Sequence, residues 1–350
     1  MPETITIVGA GMMGTALCWP LCDNGHTVRL VGTPLDEEII HSIRKTGVHP
    51  KLERKIPATV KTFLCDELPG ALRGAGVVVN GVSSFGTDWF VEMVAPRLVP
   101  GVPVIAVTKG LHVLPDGDVQ PLPDFIAEHL PAGMHEKVSL NAIAGPCIAH
   151  ELAVRRQTCV VFTGHDLSIL RSLKSVFATR YYHIRMSTDL KELEICAALK
   201  NGYALGIGIA VGMFDKSGSD GLAQMYNPQA ALFAQSCLEM RLLIKALGGK
   251  EEHASWLPGA GDLYVTVYGG RTLRLGRLLG QGFSMAQALD QMAGVTLESV
   301  EIITRLAGAL LVLEGRGLVQ SGQFPLLQFL DGVINHDEPV AFPWDRFCLV

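Results

Sequence analysis

Three glycines, Gly9, Gly11 and Gly14, follow the strand-like run Thr4 to Val8 and open an apolar, helix-like stretch. Glycine is used where a Cβ would block a positive φ or a close approach. A second strand-like run, Thr27 to Val31, arrives within about 20 residues, so the glycines sit in a strand–turn–helix–strand unit. In such a unit the first glycine makes the turn. The second lets backbone N–H groups approach a pyrophosphate, and the third lets helix and strand pack closely. The expected ligand is a dinucleotide held by Gly9, Ala10, Gly11, Met12, Met13 and Gly14.

Two lysines complete the chemistry. Lys109 follows the apolar run Val102 to Thr108, whose end in an open α/β sheet faces the ligand crevice. Lys200, with Asn201 beside it, lies in the apolar helical pattern Leu190 to Ile209. Burial lowers an ammonium's pKa toward neutrality, which suits a general acid or base next to a nicotinamide. Lys200 fits the task; the alternative is a stem that snorkels its charge to the surface.

The tip of the second strand, Val31, Gly32, Thr33 and Pro34, carries neither the carboxylate that reads an NAD ribose nor the cation that reads an NADP phosphate. Asp36, Glu37 and Glu38 follow and would repel a phosphate, which favours NAD. The same three residues also read as the acidic first turn of a helix, so NADP stays open.

These residues need a scaffold. Further strand-like runs at Val77 to Val82, Ser139 to Ala144 and Cys159 to Thr163 alternate with helical segments, which predicts a mainly parallel, doubly wound sheet. From about Asp189 the texture becomes helical: Pro228 to Leu247, Leu273 to Leu279, Ser284 to Ala293 and Leu297 to Gly315 follow the Lys200 segment. The expected division is a dinucleotide-binding domain over 1–188 and a helical substrate domain over 189–350.

Composition sets the class of partner. A net charge of −5 and a pI near 6.1 argue against nucleic acid and anionic membrane surfaces, which leaves small metabolites. The stretch Ala197 to Phe214 is the most apolar, yet it holds Lys200, Asn201 and four glycines, so a core helix is expected and a membrane span is not. The start of the chain shows no basic and apolar leader, and the eight cysteines form no CxxC pair. A cytoplasmic protein with reduced thiols and no metal is expected.

The segments "GAGMMGTAL", "HPKLERKIP", "VTKGL", "AGPCIAHELA", "LEICAALKN", "NPQAAL" and "GAGDLYVTVYGGRTLRLGRLLGQG" occur in an order that resembles the NAD(P)-dependent glycerol-3-phosphate dehydrogenases, over about 330 residues. The resemblance implies an α/β protein with an N-terminal Rossmann domain and a C-terminal all-helical domain. It implies hydride transfer between NAD or NADP and a phosphorylated polyol or ketone, sn-glycerol 3-phosphate and dihydroxyacetone phosphate in the first instance. It places the acid/base on Lys200, with Lys109 and Asp262 as catalytic partners. Asn201, Thr266, Arg271 and Thr272 fall in the substrate site; Thr33, Lys109, Ala149, Arg271 and Glu298 join the cofactor set. A homodimer is expected.

The sequence departs from the family pattern where Thr272 replaces an asparagine, and at Cys147, Ile148, Ser83, Gln235 and Ala293. The segment Phe214 to Asn227 reads as about two residues longer than the family loop. These departures keep open a related phosphorylated polyol or ketose, such as a tetrose derivative, and a cofactor-binding sensor without turnover. A ketopantoate-reductase or opine-dehydrogenase type of enzyme shares the two-domain plan, but "GGR" disfavours it.

Overall fold

A computed structural model describes residues 2–217 and 226–347. The segment read as a lengthened loop, Phe214 to Asn227, lies partly outside the described residues; its two ends are helical. The chain divides into two compact units, Met1–Lys109 with Pro121–Leu190, and Gly110–Gln120 with Lys191–Val350.

The first unit is built on eight strands in the order Tyr182–Ser187, Thr158–Gly164, Leu140–Ala144, Val104–Ala106, Val77–Asn80, Thr4–Val8, Thr27–Val31 and Lys61–Phe63. All neighbours are parallel except Leu140–Ala144 with Thr158–Gly164, where Ala142 pairs with Thr163. Strand side chains alternate between faces, so Ile5, Ile7, Val77, Val79 and Ile105 share one core while Val8, Val78 and Val104 share the other. Burial on both faces explains why these strands read as unbroken apolar runs. The two edge strands, Lys61–Phe63 and Tyr182–Ser187, escape that signature: the first has three residues, and the second alternates buried Tyr182 and Ile184 with exposed His183 and Arg185.

The second unit is mainly helical, with Leu190–Ser217 as its long central element, followed by Tyr226–Ala246, Asp262–Thr266, Arg271–Gln281, Met285–Gln291, Glu298–Gly315 and Pro325–Asn335. Leu190–Lys216 is long and apolar enough to cross a membrane by length and composition, yet 89% of its apolar 18-residue stretch is buried within the protein. Its contact with Arg271–Gln281 is made backbone to backbone. A Cβ on Gly276 would meet the Leu205 carbonyl oxygen at 2.6 Å and Gly208 at 2.8 Å, and one on Gly280 or Gly212 would overlap the facing main chain.

One hairpin in this unit comes from earlier in the chain. The strands Leu111–Val113 and Val119–Pro121 bring Leu111 and Val119 into the helical core. Lys191 Nζ lies 2.5 Å from Asp118, Arg305 donates to the Leu111 carbonyl at 2.7 Å, and Arg316 donates to the Asp116 carbonyl at 2.7 Å. A single cut after residue 188 does not describe this excursion.

Glu239, fully buried, receives four hydrogen bonds: from Gln235 Nε2, the Tyr203 hydroxyl, and the Leu326 and Leu327 amides that open the helix Pro325–Asn335. It satisfies two of that helix's orphan N–H groups, Pro325 at the helix start having none. No disulfide joins the seven cysteines of the described residues, and no cluster of three His, Cys, Asp or Glu among them could hold a metal ion.

Candidate active site

The glycine turn of the first unit has the steric signature of a cradle. Gly9 adopts φ +110°, and a Cβ there would come within 2.6 Å of the Gly81 backbone. A Cβ on Gly14 would meet the Gly9 carbonyl oxygen at 2.5 Å. At Gly11 a Cβ would meet nothing within 4 Å. Two glycines are therefore required by the protein's own packing, whereas Gly11 borders space that an approaching pyrophosphate can use. The residues present fit a dinucleotide. The helix Met12–Ala16 starts here, Met12 is exposed, and the helix Ala149–Ala153 packs beside it.

Asp36 resolves one sequence ambiguity. It precedes the helix Glu37–Thr46 but does not cap it; Glu37 and Glu38 do form the acidic first turn. Its Oδ2 instead accepts from the Ala10 amide at 3.1 Å, the Thr33 amide at 3.0 Å and the Thr33 hydroxyl at 2.8 Å. A carboxylate thus sits at the strand tip after all, reached from three residues downstream of Thr33. Lys109 is half-buried, three residues beyond the strand Val104–Ala106.

In the second unit Lys200 is 7% exposed and Asp262 1%, and Lys200 Nζ lies 2.6 Å from Asp262 Oδ1. Thr266 Oγ1 accepts from the same ammonium at 2.9 Å while donating to the Asp262 carbonyl at 2.7 Å. Asp262 is delivered by a π-helical turn over Leu257–Gly261, after which Asp262–Thr266 forms one short helix. Such turns recur at functional sites because they re-aim one side chain. Asp262 is the first residue of that helix, with Gly261 at the N-cap position, and its carboxylate turns inward to the lysine.

Thr266 is also part of the wall of a cleft of about 180 Å³, with Asn201, Gly269, Gly270, Arg271, Thr272, Thr296 and Glu298. Gly270, at φ +92°, is the N-cap of the helix Arg271–Gln281, so Arg271 leads that helix. Its guanidinium lies 3.9 Å from Glu298, the first residue of the helix Glu298–Gly315. Thr296 was missed in the sequence; its only signal is a hydroxyl residue two places before the helix start. Arg274 and Arg277 are exposed, and each has a partner: the Gln291 carbonyl and Asp215.

Enzymes that pass a hydride between a nicotinamide and a CH–OH group are built from such a pair of units, and this molecule is an oxidoreductase of that class. Residues 4–169 match the family model for the N-terminus of NAD-dependent glycerol-3-phosphate dehydrogenase, and residues 189–342 match the model for its C-terminus. The chain belongs to that family, in which both NAD and NADP are compatible cofactors. It is 36% identical over 288 residues to the NADP(+)-dependent glycerol-3-phosphate dehydrogenase of Archaeoglobus fulgidus, covering 82% of this chain and 83% of the relative. It is 30% identical over 300 residues to the glycerol-3-phosphate dehydrogenase [NAD(P)+] of Shouchella clausii, covering 85% and 84%. The crystal structure of glycerol-3-phosphate dehydrogenase from Coxiella burnetii superposes with a TM-score of 0.79 at 25% identity over 97% of this chain and 96% of that one. A ketopantoate reductase from Ralstonia eutropha reaches a TM-score of 0.54 at 18% identity over 95% and 97%, a likeness of fold alone.

Proposed function

We propose that this protein reduces dihydroxyacetone phosphate to sn-glycerol 3-phosphate, and catalyses the reverse, with NADH preferred over NADPH. A bound nicotinamide supplies or accepts the hydride. Lys200 donates a proton to the carbonyl oxygen as charge develops there, and removes it from the alcohol in the other direction. Asp262 holds the ammonium charged and aimed. Thr266, which both borders the cleft and accepts from Lys200, fixes the ammonium against the cleft wall. Arg271 and the amides that open its helix hold the substrate phosphate by charge and by the helix N-terminus together. Asn201 orients the substrate, Lys109 serves the nicotinamide side, and Ala149 and Glu298 contact the cofactor.

The observation that carries this reading is the buried 2.6 Å pair of Lys200 and Asp262, joined through Thr266 to a cleft headed by Arg271. The preference for NADH rests on Asp36, whose carboxylate at the strand tip opposes a 2′-phosphate. Arg29 donates to the Ala71 and Arg73 carbonyls, and Arg44 to Thr62 and Glu67, so both of these arginines already have partners. A homodimer and a cytoplasmic location belong to the same proposal; sedimentation equilibrium tests the first.

Absorbance at the NADH band, followed with phosphorylated and unphosphorylated ketones, tests the whole. Dihydroxyacetone phosphate should turn over and dihydroxyacetone should not. Equal rates on the two would remove the phosphate reading. Thr272 lines the cleft with a short side chain, and a higher kcat/KM for a four-carbon ketose phosphate would move the assignment to that longer substrate.

A further inference from the structure

One residue of the glycine turn, Ala10, is held through both of its backbone groups, which belong to two successive peptide units. The Ala10 amide donates to Asp36, as described above, and the Ala10 carbonyl lies 2.9 Å from His49 Nε2. His49 is fully buried, 39 residues along the chain, in the two-residue strand Val48–His49 that follows the left-handed helix end at Gly47. Its other ring nitrogen, Nδ1, accepts from the Leu52 amide at 3.0 Å. A neutral imidazole carries one N–H and one bare nitrogen. Since Nδ1 accepts, Nε2 must carry the hydrogen and donate to Ala10. Burial holds the ring below its ordinary pKa, in the neutral form this arrangement needs.

The consequence lies across the peptide bond. In a trans peptide the carbonyl of one residue and the N–H of the next point in opposite directions. Drawing the Ala10 carbonyl toward His49 therefore turns the Gly11 N–H the other way. Gly11 is the position where a Cβ would meet open space. Thr15 Oγ1 also approaches the Ala10 carbonyl, at 3.3 Å, long for a hydroxyl donor.

We propose that His49 is a positioning residue for the cofactor: its Nε2–H orients the Ala10–Gly11 peptide so that the Gly11 amide faces the incoming pyrophosphate. This rests on the dinucleotide reading of the glycine turn, which Gly11→Val tests separately. If Gly11→Val binds NADH like the parent, that reading fails; if it does not bind while the His49 variants bind normally, only the present inference fails.

The variants are His49→Phe, which keeps a ring but loses both hydrogen bonds, and His49→Gln, which keeps a donor able to reach the Ala10 carbonyl and loses the acceptor for Leu52. The readouts are NADH dissociation constants from fluorescence titration and apo-protein melting temperatures. Both variants should melt lower. His49→Phe should raise the NADH Kd about tenfold, the scale of one lost orienting hydrogen bond, and His49→Gln by less than about threefold. Equal Kd changes in the two, or none in either, overturn the proposal. Wild-type protein carrying 15N-histidine gives a check independent of folding: His49 should show a protonated Nε2 and a bare Nδ1, and the opposite tautomer overturns the proposal.

Discussion

Lys200 and Asp262 form a buried ion pair, and such a pair responds unequally to the loss of each partner. Lys200→Met keeps the stem and removes the acid. Turnover should fall by at least about 10²-fold, the lower end for lost general acid catalysis, while NADH binding measured by fluorescence survives. The same change leaves the Asp262 carboxylate buried without its cation, so the melting temperature should also drop; breaking a buried pair costs on the order of 3–5 kcal/mol. Asp262→Asn retains the ammonium and loses only its orientation and charge support, so its loss in kcat should be smaller. Near-parental turnover by Lys200→Met would move the acid elsewhere, with Lys109 the first candidate. Arg271→Ala should raise KM for the phosphorylated ketone in steady-state kinetics, by about 2–5 kcal/mol for a truncated charged hydrogen bond.

Among the elements, the crossing of Leu190–Ser217 with Arg271–Gln281 matters most, because one helix carries Lys200 and Asn201 and the other begins at Arg271. Gly276→Ala inserts a methyl against the Leu205 carbonyl and Gly208, which should destabilise by about 1–3 kcal/mol or more and lower activity by displacing the two helices. Thermal melts and steady-state kinetics on that variant check both effects. The helix Pro325–Asn335 depends instead on Glu239, whose carboxyl is pushed up to about 7 from an ordinary 4.5, chiefly by burial. A carboxyl that holds its proton more tightly folded than unfolded contributes stability that declines as pH rises from 4.5 to 7, at up to about 1.4 kcal/mol per pH unit. Glu239→Gln should flatten that slope in pH-dependent melts; an unchanged slope would assign it to another group. Much of this is legible in the sequence: β-branched runs mark the central strands, and a lysine in an apolar helix marks the proposed acid. Asp262, Thr266 and Arg271 became candidates only through family resemblance; Asp262 and Thr266 reach Lys200 only because the fold brings together residues 62 and 66 positions apart. The Asp36 bridge was hidden because sheet pairing brings Thr33 and Ala10 together, not any local spacing.

For the whole molecule, the excursion Gly110–Gln120 makes the second unit discontinuous in sequence. Residues 189–350 expressed alone would lack Leu111 and Val119 from the helical core and leave Arg305, Arg316 and Lys191 without their hairpin partners. That fragment should melt well below the same fragment with the hairpin supplied as a peptide, by circular dichroism; equal melting would show that the hairpin is dispensable. No local pattern could announce this, because Leu111 finds Arg305 194 positions later. The interval has a cost in time during synthesis. A ribosome adding about 5–20 residues per second makes the hairpin roughly 10–40 s before Arg305 exists, so Leu111 and Val119 wait, exposed, for a core not yet translated. The last part of the chain to be made therefore closes one of the first, and a nascent chain stalled before Glu298 would present those two apolar side chains to any chaperone in reach.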